Sequence, residues 1–252
     1  MTDNLKAVIL AAGKGTRLQS EDTQIPKHMR KVAGKPVLDY ILKAVDFIKK
    51  EDVILIVGYL KEIIMEAYSE YTFVVQNLDK GYGTGAAAKC AEEAVGEFSG
   101  DIFILQGDSP LITKETLLNI INEHKTNKNE CTILSCEINE VLGLGRIVRD
   151  KTGNFCEIVE NRDATEEQKQ KIKEYNASVM LVNSKKLFEQ LKYLKNNNSR
   201  GEYYLTDIPK LFLENNYKVG VYKSLNAVEI YGADSEEDLK RIENIITTNS
   251  TK

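Results

Sequence analysis

The chain has 252 residues, enough for one large α/β domain or two small ones with a buried core. It is 42% hydrophobic and 29% charged, as globular proteins are, and its net charge of −4 argues against nucleic acid as the main partner. No run approaches the roughly 20 apolar residues that cross a bilayer, and four cysteines without a CxxC pair, beside only two histidines, argue against a Cys/His zinc site.

Apolar runs of strand type alternate with amphipathic stretches. AVILAA (7–12) reads as a buried strand, too short and too soon charged to be a secretory leader. KPVLDYILKAVDFIKK (35–50) reads as a helix with Val37, Leu38, Ile41, Leu42, Val45 and Ile48 on one face. DVILIVGY (52–59) is a strand, KEIIMEAYSE (61–70) a helix, YTFVVQ (71–76) a strand and TGAAAKCAEEAVGEF (84–98) a helix. DIFILQGDSPLI (101–112) is a strand ending in a polar turn, ETLLNIINEHK (115–125) a helix and CTILSCEI (131–138) a strand. On that strand Cys131 and Cys136 fall on opposite faces, and all four cysteines are expected as reduced thiols in a cytoplasmic protein. Such alternation predicts a parallel sheet covered on both faces, with ligands beyond the carboxyl ends of its strands.

After residue 140 the pattern changes. GRIVRDKTGNFCEIVE reads as a hairpin turning near residues 151–154, followed by a charged helix (165–174), a strand (176–183), a helix (184–194) and a polar loop, NNNSRGEYY. This half is expected to form a second lobe closing the cleft, and residues 235–248 an amphipathic terminal helix. There is no internal repeat, and in particular no hexapeptide repeat of a left-handed β-helix.

The turn GKGTRL (13–18) fits neither of two common phosphate loops: GxxxxGK[ST] is absent, and GxGxxG fails because residue 18 is Leu. Its glycines still let backbone N–H groups approach phosphate oxygens, and Lys14 and Arg17 add charge. Lys27, in IPKHMRKVAGKP, could reach the same phosphates. Asp108 ends a strand at the same edge, where a carboxylate suits Mg²⁺ as well as a turn. Thr84 reads as a helix N-cap, and so does Asp234.

LAAGKGTRL, PKHMRKVAGKPVL, GYGTGAA and LQGDSPLI, then GLGRIV, IVENRDATEEQ and NNNSRGEYYLTDI, resemble the sugar-1-phosphate nucleotidyltransferases, the pyrophosphorylases that make nucleotide sugars. Within them the likeness is to the N-acetylglucosamine-1-phosphate uridylyltransferase domain of the bifunctional bacterial enzyme, and it runs from about residue 5 to the terminal helix. The resemblance implies a Rossmann-like, mostly parallel sheet flanked by helices (the nucleotide-diphospho-sugar transferase type) with a smaller sugar-binding lobe. It implies a nucleotidyltransferase domain over 1–232, its nucleotide half about 1–140 and its sugar lobe about 141–232, then a helical segment over 233–252. No β-helix acetyltransferase domain is expected in these residues. The implied reaction joins UTP and N-acetylglucosamine-1-phosphate and releases pyrophosphate, with Mg²⁺ as cofactor and neither nucleic acid nor membrane as partner. The oligomeric state stays open.

Carried onto this chain, the family's motifs place Leu10, Ala11, Ala12 and Gly13 on the nucleotide, with Gln76, Gly83, Thr84, Gln106 and Gly107 around it. They place Arg17 and Lys27 on the phosphates, Lys27 at the transition state. Gly145, Glu160, Asn176, Tyr204 and Thr206 match the sugar side, and Asp108 and Asp234 the metal. This chain departs from the uridylyltransferase pattern at Asp234 (Asn there), Ser178 (Gly there), His28, Arg30 and Gln106, and GYGTG carries two extra residues. The departures leave open another sugar- or alcohol-phosphate, or dTTP or CTP. A nucleotide-sugar sensor without turnover is the reading from another class.

Overall fold

The computed structural model describes residues 4–77, 79 and 81–249. Residues 1–3 and 250–252, the extreme ends of the two segments expected above, lie outside the described residues.

Strand β1 (Leu5–Ala11) is buried at almost every position, as a strand covered on both faces must be. Short α1 (Ser20–Thr23) and a two-stranded hairpin, β2 (Lys31–Val32) with β3 (Lys35–Pro36), lead into α2 (Val37–Ala44). Next come β4 (Val53–Val57), α3 (Lys61–Ala67), β5 (Thr72–Val75), α4 (Thr84–Lys89), α5 (Glu92–Val95) and β6 (Asp101–Gln106). Then α6 (Lys114–Thr126), β7 (Cys131–Glu137), β8 (Arg146–Arg149), β9 (Phe155–Val159), α7 (Glu166–Lys171) and β10 (Glu174–Asn183) follow. The chain closes with α8 (Ser184–Gln190), α9 (Ile208–Glu214), β11 (Val219–Ser224) and α10 (Glu236–Asn249).

Among the described residues nine strands make one mixed sheet, with the path β11-β7-β10-β6-β1-β4-β5 and β8 and β9 branching from β10. β6, β1, β4 and β5 run parallel, and β11 runs parallel to β7. β10 is antiparallel to both its neighbours, β6 and β7. Alternation sorts the core: Ala7, Ile9, Phe103 and Leu105 pack on one face with α2, α3 and α6, while Val8, Leu10, Ile102 and Ile104 pack on the other with α4, α8 and α9. Cys136 lies in the first layer and Cys131 in the second, on opposite faces as the strand period requires. A third cluster joins Leu239 and Ile242 of α10 to Leu18, Val32 and Val37.

Three expectations change. Residue 140 is not a boundary in the sheet: β10 and β11, from the second half, are built into the same sheet as β1, and only β8, β9, α7 and the polar loop extend beyond it. β10 is ten residues long and buried over most of its length, which suits a central strand. The helix expected over 35–50 occupies only 37–44. Pro36 precedes it in extended geometry, and beyond it Val45 and Ile48 stay buried in turns. The helix expected over 84–98 splits, because Cys90 and Ala91 close tight bonds to Ala87 and Ala88 and Gly96 takes a left-handed φ of 58°. α9 and β11 complete the fold in a stretch the hydrophobic pattern left unread.

Candidate active site

The parallel strands all end at one edge, and their carboxyl ends open a cavity of about 580 Å³. β1 delivers Leu10, Ala12, Gly13 and Lys14; β4 delivers Gly58 and Tyr59; β5 delivers Val75 and Gln76; β6 delivers Gln106 and Asp108. Gly83 and Thr84, at the start of α4, make another wall. Lys14, Lys27, Lys61 and Arg200 set positive charge around it, against Asp108, Asp234 and Glu202.

Two glycines are dictated by what touches them. Gly15 has φ +63° and a Cβ there would meet Ser20 Oγ at 2.6 Å and Lys27 Cβ at 2.7 Å. The glycine-rich turn therefore folds directly onto the lysine segment. Gly83 has φ +107° and a Cβ would stand 2.5 Å from the carbonyl of Tyr203. There the loop from the second half is sewn to GYGTG: Tyr203 N–H donates to Tyr82 O, Gly85 N–H to Tyr203 O, and Leu205 N–H to Thr84 Oγ1. Thr84 is thus the first residue of α4 rather than its side-chain cap.

Lys27 sits at the meeting point. Its ammonium is paired with Asp108 and donates to Asp234 Oδ1 at 2.8 Å. Burial pulls against the charge, but the two carboxylates outweigh it and hold the lysine above its ordinary range. Asp108 is pushed up by burial and pulled down further by Lys27, so it lies below the usual carboxylate range. The residue matched to phosphate and the two matched to metal thus form one cluster. Asp234 is brought there by Ala233 N–H, which donates to Asp108 O at 2.7 Å. It does not cap α10; Ser235 does, accepting from Asp238 N–H. Arg17 is mostly exposed, its guanidinium 3.3 Å from Asp234 and outside the cavity lining. His28 is buried beside Lys27, and burial, with the lysine's charge, drops its pKa to about 4. It is therefore neutral, and its Nδ1 has no partner.

A second cavity of about 80 Å³ adjoins the first and shares Thr84 and Gln106 with it. Glu160, Asn176, Ser178 and Thr206 line it. Thr206 Oγ1 donates to Glu160 Oε1 at 2.8 Å, and burial raises the Glu160 pKa. Asn176 N–H donates to Gly145 O at 2.8 Å, which sets Gly145 beside the cavity. A β-bulge between Asn176 and Met180 breaks the β10–β7 register here, with Ser178 at φ +58°. Asn176 Oδ1 accepts from Ser178 N–H.

Of the residues assigned to the sugar, Tyr204 does not line the small cavity; it lies in a neighbouring depression of about 440 Å³ that shares Ile158 and Glu160 with it. Ala11 is wholly buried in β1, and Gly107 is held against it by a bond to Leu10 O. Tyr59, Lys61, Tyr82, Arg200 and Glu202 line the first cavity without having been assigned to it. Three of them had a signal, Tyr82 lying inside GYGTGAA and Arg200 and Glu202 inside NNNSRGEYYLTDI.

The model of the MobA-like NTP transferase domain matches residues 7–206. The chain belongs to the MobA-like NTP transferase family. Among curated members of known proteins, it is 37% identical over 241 residues to the Bifunctional protein GlmU of Streptococcus mutans and 38% identical over 243 residues to that of Clostridioides difficile. These alignments cover 95% and 96% of this chain but 51% and 52% of the relatives, so the chain spans about half their length. This NTP transferase shares its fold with a Bacillus anthracis structure assigned to the glucose-1-phosphate thymidylyltransferases, solved with sucrose. The TM-score is 0.74 at 20% identity, over 96% of this chain and 94% of the other.

Proposed function

We propose that this NTP transferase joins a nucleoside triphosphate to a sugar-1-phosphate and releases pyrophosphate, with UTP and N-acetylglucosamine-1-phosphate as its pair. The observation that carries the reading is the pair of adjoining cavities. One is large, closed by a glycine-rich turn and ringed with cations; the other is small and lined by Glu160, Asn176 and Thr206, which suit sugar hydroxyls and an acetamido group. Their shared wall, Thr84 and Gln106, is where an acceptor phosphate would face the α-phosphate. The GlmU relatives support the sugar end of this reading.

In the proposed reaction an oxygen of the sugar phosphate attacks the α-phosphorus in line. A new P–O bond forms, the α–β phosphoanhydride breaks, and its electron pair leaves with pyrophosphate. The nucleophile is already an anion near neutral pH, so no general base is needed. That agrees with a neutral, buried His28 and with His124 engaged by Thr132. Catalysis then rests on position and charge. Lys27 presents a fixed ammonium to the phosphates, Arg17 adds an exposed guanidinium from the rim, and backbone groups of residues 10–13 hold the nucleotide. Glu160 and Asn176 orient the acceptor. Asp108 and Asp234 are two hard oxygen donors facing one ammonium, a set that fits Mg²⁺ with phosphates and water completing its shell. When bound there, Mg²⁺ supplies charge neutralisation for the triphosphate. All four cysteines are free thiols, which supports a cytoplasmic location.

A second reading keeps the chemistry and changes the pair. Ser178 lines the small cavity from a left-handed backbone position, which favours a different acceptor; dTTP or CTP as donor is the matching alternative at the large cavity. Pyrophosphate release with Mg²⁺, for five nucleotides crossed with four sugar-1-phosphates, separates the readings. Turnover confined to UTP with N-acetylglucosamine-1-phosphate is expected. Turnover in another cell moves the specificity to the surroundings of Ser178, and nucleotide binding without turnover anywhere favours the sensor.

A further inference from the structure

Two segments that line the small cavity, around Glu160 and Asn176, and a third that stands against it at Gly145 converge on a side chain that does not line it. Arg146 is fully buried. Its Nη1 donates to Leu144 O at 3.0 Å and to Asn161 Oδ1 at 2.8 Å, and its Nη2 to Leu142 O at 3.1 Å. Its guanidinium lies over the ring of Tyr175, 5.2 Å from the centre. These partners are all neutral. A buried cation is tolerated there because carbonyl dipoles and an aromatic face replace water around its two terminal nitrogens, while Nε has no hydrogen-bond partner among the described residues. The partners' places in the chain carry the argument: Leu144 precedes Gly145, Asn161 follows Glu160, and Tyr175 precedes Asn176. The Tyr175 hydroxyl closes the unit, donating to Glu140 O and accepting from Leu142 N–H.

We propose that Arg146 is the positioning residue of the acceptor cavity, fixing Gly145, Glu160 and Asn176 relative to one another without touching substrate. This rests on the small cavity being the acceptor site. A planar fork presents its donors to two loops in fixed directions, and a compact ammonium lacks that fixed geometry. Displacing acceptor-binding groups by a fraction of an ångström weakens acceptor use and leaves the nucleotide cavity alone.

The test uses the full chain carrying Arg146→Met or Arg146→Lys, read by hydrogen exchange and by kinetics. In Arg146→Met, exchange should quicken in residues 142–146, 160–164 and 174–178 and stay unchanged in 8–14 and 101–107. The sugar-phosphate KM should rise about tenfold or more, with the nucleotide KM within about twofold. Arg146→Lys should give a smaller rise in the same parameter. Equal rises in both KM values, exchange quickened across the whole sheet, or unchanged exchange in the three segments would overturn the proposal. If the unaltered protein turns over no sugar-1-phosphate, the functional reading fails, and the exchange pattern alone decides whether Arg146 ties the segments together.

Discussion

Lys27 stands between Asp108 and Asp234, so removing it does two things at once. It deletes a cation from the nucleotide cavity, and it leaves two carboxylates facing each other. Lys27→Ala should lower kcat by about 10²-fold if it contacts charge that forms in the transition state, with a much smaller effect on nucleotide binding; equal losses by kinetics and calorimetry would remove that role. The same variant should melt earlier in metal-free buffer, by an amount on the order of 3 kcal/mol for one partner of a buried pair, and Mg²⁺ should restore more of its stability than it adds to the unaltered protein. Asp207 gives a pH test. Burial, then the charge of Glu160, raises its pKa from 3.8 to about 6. The folded state thus holds that proton more tightly than the unfolded one. Its contribution to stability is complete below about pH 4 and is lost as pH rises through 6. Asp207→Asn should therefore raise Tm at pH 7.5 and change it little at pH 4, as thermal melts across that range would show. At this scale the sequence located Lys27, Asp108 and Asp234 but gave them separate tasks, because motif spacing carries no distances. Arg146 was illegible for another reason: an arginine inside GRIVR reads as a solvated charge, and only its zero exposure shows otherwise.

Helix α10 acts as a clamp on the segment that carries the glycine-rich turn and Lys27. Leu239 and Ile242 pack on Leu18, Val32 and Val37, Arg30 pairs with Glu236, and Ala33 N–H donates to Glu243 Oε1 at 3.0 Å. Ile242 is fully buried. Ile242→Ala should cost about 2–4 kcal/mol, measured by denaturant unfolding. Because residues 15–37 carry Lys27 and His28 of the nucleotide cavity's wall, the nucleotide KM should rise in the folded variant while the sugar-phosphate KM holds. The amphipathic pattern predicted α10 itself, since helix period is local. Its partner was not legible, because packing joins residues some two hundred positions apart. The same limit explains α2 and α4. The apolar face read for 35–50 is buried, but Val45 and Ile48 keep it so after α2 has ended, and Ala91 is buried where the helix expected over 84–98 breaks.

Across the whole molecule, alternating strands and helices predicted the layered sheet, and its strands' carboxyl ends are where the large cavity opens. The hydrophobic pattern predicted a strand over 176–183 but not its place between β6 and β7 or its direction, opposite to both. A hydrophobic run specifies that a strand is buried, not which strands flank it or which way it points. The small cavity depends on that insertion, since Asn176 and Ser178 belong to β10 and Glu160 hangs from the hairpin paired with it. The central place of β10 also imposes an order in time. A chain leaving the ribosome N-terminus first can assemble β1, β4, β5 and β6 early. β6 and β7 have no partner between them until residues 174–183 emerge. At about 5–20 residues per second, that gap is on the order of seconds. Over that interval the nascent chain carries two bare strand edges, and a pause in translation between residues 138 and 183 would prolong the period in which it can pair with the wrong neighbour.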